Sequence, residues 1–388
     1  MRSTPSATGK TPSGLRVMGN TVREVVARRG RGCLRPPVLV LARVPHPQPV
    51  NPLRPRGISA VRSRSMKEER MGQRGRVVVV VGASRGIGRA VAYRLARRGD
   101  RLVVVARDEE ALARTAEHCR ALGAQVLAVP ADVTDSDALG SVVRSAVERF
   151  GRIDVWIGVT GVLAYGTVEQ TPTAVYRRVL ETNLIAQIDG VRRVLPVFRA
   201  QGSGRIILIG SLYSRVTAPY VSAYAASKFG LLGFAGSLRQ ELLDARGIDV
   251  RVIIPATIDT AVYQRAANLT GRVPRPIPPV VSPFRVARAV ERSTRGRGAP
   301  VMPVGRVQSA LIPFSAAFPR VFDHVVRLSM ETLGLTRRPA DDTLGTLDRP
   351  HHDAGRVTGG WRSPGLRAGL VALALAGAAA LAGRRRRQ

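Results

Sequence analysis

The hydrophobic pattern of the chain changes abruptly at Arg76. Val77 to Val81 form an unbroken β-branched run, which is typical of a strand buried on both faces of a parallel sheet. A Gly-rich turn and a helical stretch from Ile87 to Arg97 follow, and the next apolar run is Leu102 to Val105. The same alternation predicts helices at about 108–121, 136–149, 173–199 and 221–245, and strands at 125–129, 153–159, 205–210 and 249–254.

The alternation of strands and helices from Val77 to Ile254 predicts an α/β fold, in which a doubly wound parallel sheet is built with right-handed crossovers. The order loosens after Ile254. Residues 256–283 contain five prolines and little periodicity, which predicts a mobile loop over the edge of the sheet. Helical patterns return near 284–295 and 319–334.

The two ends of the chain differ in composition from this α/β domain, which we place at 73–335. Residues 1–70 carry 15 Lys or Arg against 3 acids, and such a stretch cannot bury enough apolar surface to fold. We therefore predict a disordered basic tail at 1–72, with Met66 and Met71 as alternative starts of the protein. The composition predicts a polar linker at 336–364 and an apolar helix with an Arg-rich end at 365–388.

Much of the formal net charge of +34 lies in these ends. The arginines are not interleaved with aromatic residues and no nucleic-acid-binding motif accompanies them, so solvated tails are favoured over a nucleic-acid partner. Cys33 and Cys119 are far apart and lie outside any C-x-x-C, which indicates neither a disulfide framework nor a thiolate metal site. Together with the lack of a secretory signal in the N-terminal residues, this predicts a cytoplasmic location.

Residues 368–383 form a wholly apolar stretch between Arg367 and the four arginines Arg384–Arg387. A helix of 16 residues is about 24 Å long, which is shorter than a hydrocarbon core of about 30 Å. Three interpretations stay open: a short transmembrane helix that anchors the protein, a helix that lies on a membrane surface, and an Ala-rich helix packed on the domain or on a partner.

Three glycines, Gly82, Gly86 and Gly88, stand between the first strand and the first helix. Glycines at this place permit a tight turn and bring the backbone close to a pyrophosphate, whose charge then faces the helix N-terminus. No acid ends the second strand, where an NAD-selective site would place a carboxylate. Arg107 instead offers a planar cation to a 2′-phosphate, and Arg85 offers a second, so NADP is favoured over NAD unless both arginines are only solvated.

Tyr224 and Lys228 are four residues apart in a predicted helix, so their side chains lie on one face. The unperturbed pKa of tyrosine is about 10, which is too high for a base at neutral pH. Lys228 and the positive nicotinamide of an oxidised cofactor both favour the phenolate and are expected to lower this pKa. Taken alone, the spacing also fits an ordinary half-buried Tyr beside a solvated Lys.

The glycine spacing G-x-x-x-G-x-G and the downstream Y-x-x-x-K resemble the short-chain dehydrogenase/reductase (SDR) family over about residues 75–295. The resemblance implies a Rossmann fold with Tyr224 as general acid/base. Ser211, thirteen residues earlier, matches the catalytic serine of the family and is expected to donate a hydrogen bond to the substrate oxygen. Asn183 matches the helix asparagine, which holds a water that links Lys228 to solvent. The implied catalytic set is Asn183, Ser211, Tyr224 and Lys228.

The resemblance also implies the residues that bind the cofactor. Asp132 matches the acid that contacts the adenine, and Thr260 follows the sixth strand, where the family places a threonine against the nicotinamide carboxamide. The implied cofactor-binding set is Gly82, Ser84, Arg85, Gly86, Ile87, Gly88, Arg107, Asp132, Val133, Gly161, Tyr224, Lys228 and Thr260. No metal site is assigned.

Three features depart from the family pattern. Gly158–Gly161 (Gly-Val-Thr-Gly) stands where the family usually has Asn-Asn-Ala-Gly, and those asparagines ordinarily brace the central sheet. Pro255 is followed by Ala256 in place of the usual glycine, and Val81 stands where a threonine often precedes the glycine turn.

Together these features predict an NADP-dependent oxidoreductase that transfers a hydride between NADP(H) and a small-molecule carbonyl or secondary alcohol. Several apolar residues that follow the sixth strand hint at a lid for a hydrophobic substrate; they are Ile277, Val280, Val281, Phe284, Leu311, Phe314 and Phe318. The alternative is a non-catalytic nucleotide-binding scaffold or regulatory protein of the same fold, which the altered turn at Gly158–Gly161 suggests. We also expect the protein to form a homo-oligomer and to associate with a membrane through residues 368–383.

Overall fold

The computed structural model describes residues 75–296, 298–347, 349 and 355–362. Its strands are β1 Val77–Val81, β2 Arg101–Ala106, β3 Val126–Pro130, β4 Val155–Gly158, β5 Ala164–Tyr165, β6 Gly204–Ile209, β7 Ile248–Pro255, β8 Ala267–Asn268, β9 Arg272–Pro274, β10 Val301–Val304 and β11 Leu335–Pro339. The predicted tail at 1–72 and the apolar stretch 368–383 lie outside the described residues.

The helices are α1 Gly86–Ala96, α2 Glu109–Ala121, α3 Ser136–Phe150, α4 Thr173–Leu180, α5 Ala186–Gln201, α6 Ser222–Glu241, α7 Pro283–Ser293, α8 Arg306–Ser309, α9 Leu311–Ala317 and α10 Pro319–Ser329. Glu181–Ile185 and Met330–Gly334 form π-helical turns, and Leu212–Ser214 forms a 3-10 turn. Among the described residues, no helix is both long enough and apolar enough to cross a membrane.

Seven strands form one parallel sheet in the order β10-β7-β6-β4-β1-β2-β3. Every valine of β1 is at most 3% exposed, as a strand covered on both faces requires. Helices α3, α5 and α6 contribute to the apolar core on one face, and α1, α2 and α7 to the core on the other. The prediction of a doubly wound α/β fold is confirmed.

The strand order reverses between β1 and β4, because the chain builds outward to β3 before it returns to β4. In open α/β sheets, ligands bind in the crevice that this reversal leaves at the carboxyl ends of the strands. The glycine-rich turn follows β1, the Gly158–Gly161 turn includes the end of β4, and Ser211 follows β6 by two residues. The fold therefore brings three predicted motifs to one edge of the sheet.

The structure differs from the predicted elements in three places. The single helix predicted at 173–199 is divided by the π-helical turn Glu181–Ile185, which contains Asn183. The predicted loop at 256–283 contains β8 and β9. Within 336–364, predicted as a polar linker, β11 pairs antiparallel with β9 and residues 355–362 contact the glycine-rich turn. Backbone hydrogen bonds to distant residues form these contacts, and composition does not reveal them.

Candidate active site

The glycine-rich turn between β1 and α1 is closed so tightly that side chains do not fit. A Cβ atom added to Gly88 would lie 2.0 Å from the carbonyl oxygen of Gly82, and Gly82 itself has a φ of 92°. Gly86 also has a positive φ, 52°. The turn therefore needs its glycines for backbone conformation and for close packing of helix on strand, and it leaves the N-terminus of α1 at the cleft.

All thirteen residues predicted to bind a cofactor line one cleft at this edge of the sheet. The cleft runs from Ala131 and Asp132 at one end, past the glycine-rich turn, to Tyr224 and Lys228 at the other. Ser211 also lines it, whereas Asn183 is fully buried behind its wall. We call the two ends the arginine end and the tyrosine end.

Lys228 lies at the tyrosine end with its side chain buried, 3% exposed. Its Nζ donates a hydrogen bond to the carbonyl oxygen of Ile209 at 3.0 Å and lies 5.7 Å from the centroid of the Tyr224 ring. Burial lowers the pKa of Lys228 to about 8, because the ammonium is costly to desolvate. The predicted pairing of Tyr224 and Lys228 on one helix face is thus present in α6.

Two opposing effects act on the Tyr224 phenol. Burial raises its pKa, and a hydrogen bond with the Ser211 side chain acts in the opposite direction without cancelling the rise. The protein groups alone therefore keep the phenol protonated at neutral pH. The lowered pKa that we expected from Lys228 and an oxidised nicotinamide concerns the complex and stays a prediction.

Asn183 fastens the turn after β4 to helix α6. Its side-chain amide donates to the carbonyl oxygen of Val162 at 2.9 Å and to Ser227 Oγ at 3.1 Å, and its Oδ1 accepts from the Val162 N–H at 2.7 Å. A Cβ atom on Gly161 would lie 3.4 Å from Asn183 Oδ1 and 3.5 Å from Lys228 Nζ. Asn183 thus lies next to Lys228, while its role in holding a water stays a prediction.

The turn that departs from the family pattern is braced by a residue that the sequence analysis did not identify. Gln187, 3% exposed, donates from Nε2 to the carbonyl oxygen of Thr160 at 3.2 Å. A Cβ atom on Gly158 would lie 1.9 Å from Gln187 Oε1, so the glycine makes room for this side chain. The pair of a glycine in β4 and a glutamine one helical turn after Asn183 is the sequence signal for this arrangement.

The arginine end contains a buried carboxylate, Asp108, that the sequence analysis missed. It forms an ion pair with Arg85 and accepts a hydrogen bond from the Ala111 N–H at 2.9 Å, which caps α2. Burial lowers the pKa of Arg85 despite this partner. Asp108 thus has a structural task at the helix N-terminus.

Asp132, predicted to contact the adenine, lies among cations. Its Oδ2 is 3.4 Å from Arg107 Nη1 and 3.7 Å from Arg178 Nη2. Burial favours a higher pKa for Asp132, but hydrogen bonds from Thr134 and the two arginines outweigh it, so the pKa lies below its usual value. Arg265, from the segment after β7, also lines this cleft, and burial together with the charge of Arg85 lowers its pKa to about 10.

An apolar and aromatic cluster surrounds Tyr224 at the other end. Tyr213 packs edge-on against the Tyr224 ring with centroids 6.1 Å apart, and Tyr263, Ile277 and Met330 belong to the same cluster. Burial raises the pKa of Tyr213 to about 12, so it is neutral. Of the predicted lid residues, Ile277 belongs to this cluster, whereas Phe284 and Phe318 are exposed. No sequence pattern marks Tyr263 or Met330, while Tyr213 is marked by its position two residues after Ser211.

Comparison with known proteins agrees with this geometry. The family model described as short chain dehydrogenase matches residues 76–269. A ketoacyl reductase, HetN, of Nostoc sp. is 33% identical over 224 residues, which cover 58% of this chain and 76% of the relative. The chain therefore belongs to the short-chain dehydrogenase family and is a short-chain oxidoreductase, which confirms the resemblance seen in the sequence.

Two solved structures show the same fold. A metagenomic short-chain oxidoreductase in complex with NADP is 28% identical, with a TM-score of 0.52, covering 59% of this chain and 96% of its own. Levodione reductase is 27% identical, with a TM-score of 0.54, covering 61% of this chain and 98% of its own.

Proposed function

We propose that this oxidoreductase transfers a hydride between NADP(H) and a hydrophobic carbonyl compound or secondary alcohol. The observation that carries the proposal is the grouping of Ser211, Tyr224 and Lys228 at one end of a cleft whose middle is the glycine-rich turn. A phenol, a hydroxyl and a buried amine that converge beside a dinucleotide-type turn form a proton-transfer site next to a hydride donor or acceptor.

The residues of the cleft fit a dinucleotide. The three glycines of the turn bring the backbone at the N-terminus of α1 to the cleft, which is where a pyrophosphate would be held; among its N–H groups, that of Gly86 donates to the carbonyl oxygen of Arg356. The hydroxyl of Thr160, which lines the cleft, is buried without a hydrogen-bond partner among the described residues. A bound dinucleotide supplies or accepts the hydride. The protein residues bind this cofactor and donate or accept the proton.

In the direction of carbonyl reduction, the carbonyl carbon gains the hydride and the oxygen takes a proton from the Tyr224 phenol. Ser211 donates a hydrogen bond to that oxygen as negative charge develops. Lys228 stabilises the phenolate that remains until solvent returns the proton. The reverse sequence oxidises an alcohol. Because burial raises the pKa of Tyr224, the phenol is protonated before reaction, which suits reduction.

The preference for NADP rests on the arginine end. Arg85, Arg107 and Arg265 line the cleft there and supply more positive charge than Asp108 and Asp132 neutralise. A 2′-phosphate, unlike a ribose hydroxyl, gains from such an excess. The NADP complex of the metagenomic relative supports the same choice. The ratio of kcat/KM for NADPH and NADH tests it, and a preference for NADH would refute it.

The proposed substrate is hydrophobic because Tyr224 packs in a cluster with Tyr213, Tyr263, Ile277 and Met330, of which Tyr263 lines the cleft. A ketone on an acyl or cyclic hydrocarbon skeleton fits such a wall, and the name of the ketoacyl reductase relative points to the same chemical class. Membrane association through 368–383, homo-oligomer formation and a cytoplasmic location stay predictions.

The test of the proposed function is a panel of aldehydes and ketones assayed with NADPH, using the full-length protein and its Tyr224→Phe variant. Tyr93→Phe, which changes a half-buried tyrosine of α1 outside the cleft, is the matched control. We expect turnover with the wild type and the control, and loss of turnover with Tyr224→Phe. NADPH binding without oxidation across the panel would favour the non-catalytic scaffold instead.

A further inference from the structure

The described residues 355–362, which we call the strap, contact the glycine-rich turn at one end. The Gly86 N–H donates a hydrogen bond to the carbonyl oxygen of Arg356 at 3.1 Å. Gly355 lies so close to the turn that an added Cβ atom would be 2.8 Å from the carbonyl oxygen of Ser84. Val357 packs against the apolar core that contains α1. The strap is therefore seated on the first wall of the cleft.

The other end of the strap is bound to the segment that follows β7. One carboxylate oxygen of Asp259, whose side chain is 3% exposed, accepts from the Gly359 N–H at 3.0 Å and from the Trp361 N–H at 2.9 Å. The indole Nε1 of Trp361 donates to the carbonyl oxygen of Thr260 at 3.1 Å. Hydrogen bonds to a buried carboxylate are stronger than neutral ones, so Asp259 is the main attachment of this end.

Aromatic and amide contacts extend this attachment along the same segment. Trp361 packs edge-on against Tyr263 with ring centroids 6.2 Å apart, and Gln264 Nε2 donates to the carbonyl oxygen of Gly359 at 2.9 Å. Residues 257–265 contain Thr260, our expected contact of the nicotinamide carboxamide, and Arg265 of the arginine end. The strap thus holds a segment that provides residues to both ends of the cleft.

The strap contacts both walls of the cleft. It joins the carboxyl end of β1 to the carboxyl end of β7, and these strands are separated in the sheet by β4 and β6. Arg356 lines the cleft together with the predicted cofactor residues, yet the cleft remains continuous from Asp132 to Lys228. The strap therefore forms a wall of the cleft and does not fill it.

We propose that the strap, attached through Asp259 and Trp361, retains the dinucleotide by closing the mouth of the cleft and holding residues 257–265 in place. The proposal rests on dinucleotide binding as the proposed function. Release of the dinucleotide then requires the hydrogen bonds at one end of the strap to open, so the strap limits the dissociation rate. Asp259 is a positioning residue in this account, because it acts through the strap.

The experiment measures NADPH release from the full-length protein by stopped flow, with excess NADP⁺ as displacing ligand and dihydronicotinamide fluorescence as signal. Asp259→Ala detaches one end of the strap and Gly355→Val displaces the other by steric clash. We expect Asp259→Ala to speed release by at least about tenfold, which corresponds to the loss of hydrogen bonds to a charged group, and Gly355→Val to speed release in the same direction through the steric clash. Asp342→Ala, an exposed carboxylate of the same region, is the control and should release NADPH as the wild type does.

A milder variant separates the strap from general damage to the fold. Trp361→Phe keeps an aromatic ring near Tyr263 but removes the Nε1–H donor and part of the ring, so it should speed release by a few fold, about what one neutral hydrogen bond contributes. The chain has two tryptophans, and the other, Trp156, is buried in the core. In Asp259→Ala, tryptophan emission should therefore shift towards that of exposed indole, as Trp361 leaves its site.

The outcomes distinguish the strap from the proposed function. If the wild type binds no NADPH, the proposed function fails. If the wild type binds NADPH but all three strap variants release it at the wild-type rate, or more slowly, the strap proposal fails while dinucleotide binding stands. Should Asp259→Ala not fold, unchanged release in Trp361→Phe and Gly355→Val is sufficient to overturn it.

Discussion

The two ends of the cleft differ in the partners that surround their titratable groups. At the tyrosine end, Lys228 is buried and Tyr224 is partly buried, and burial shifts the pKa of each in the direction that favours its neutral form. At the arginine end, the titratable groups are paired: Arg85 with Asp108, and Arg107 with Asp132. Desolvation is the largest influence on the pKa values at both ends, but at the arginine end hydrogen bonds from Thr134, together with Arg107 and Arg178, outweigh it and hold the pKa of Asp132 below its usual value.

This difference indicates what each end is suited to do. A neutral phenol in an apolar wall is a proton donor whose strength depends on what binds beside it, so changes there should alter the rate. A cluster of cations around two carboxylates attracts an anion and is sensitive to salt, so changes there should alter affinity. Three variants test the comparison, from the largest expected effect to the smallest.

Replacing Lys228 by Met should lower kcat by at least about 100-fold, because the phenolate loses its stabilising amine. The same change should raise stability at pH 7, because the wild type carries a buried ammonium whose pKa falls from 10.5 to about 8. The gain should be up to roughly 3 kcal/mol in the free energy of unfolding, reduced by the lost hydrogen bond to Ile209. Urea unfolding of both proteins measures it.

The sign of the pH dependence follows from the same pKa. Between about pH 8 and 10.5 the unfolded lysine is protonated while the buried one is not, so this group makes wild-type stability rise with pH across that window. The advantage of Lys228→Met should therefore shrink from pH 7 to pH 10.5. An advantage that stays constant would contradict the view that burial governs this end.

Arg107→Ala should weaken NADPH binding by about tenfold or more and leave NADH binding nearly unchanged, because one charge-assisted contact to a phosphate is lost. Fluorescence titration at two salt concentrations measures this. Arg192→Ala is a matched control, since Arg192 also lies 3.4 Å from a carboxylate, that of Asp189, but outside the cleft. Equal losses for NADPH and NADH would contradict a 2′-phosphate site at this end.

Gln187→Leu should have the smallest effect, about 1 kcal/mol of unfolding free energy, because the carbonyl oxygen of Thr160 loses its donor. Urea unfolding measures the loss, and Gln240→Leu, on the exposed surface of α6, should cost less. A loss no larger than that of the control would show that the altered turn needs no bracing.

The sequence predicted the parallel sheet well because its strands are buried on both faces and read as continuous apolar runs. The positions of Tyr224, Lys228 and Ser211 followed from helix geometry and from motif spacing. The glycine-rich turn could be predicted equally well, because only glycine fits the backbone conformation and the close packing of helix on strand there.

The sequence did not reveal features that depend on contacts between distant segments. The sequence pattern predicts for Asp108 only a helix cap, and its ion pair with Arg85 becomes apparent only in the structure. The strap carries no apolar period, and its attachment to Asp259 connects residues about one hundred positions apart. The contact of Gln187 with the turn after β4 is of the same kind, because a Cβ atom on Gly158 would clash with Gln187 Oε1 only in the folded protein.

The central claim is that Tyr224 supplies the proton, while the dinucleotide is held mainly by the other residues of the cleft. The most direct measurement is a parallel determination of kcat and of the NADPH dissociation constant for the wild type and Tyr224→Phe. Our account predicts that kcat falls by about 10²–10⁴-fold, the range for general acid catalysis, while the dissociation constant changes little. A variant that binds NADPH normally and still turns over at the wild-type rate would contradict it.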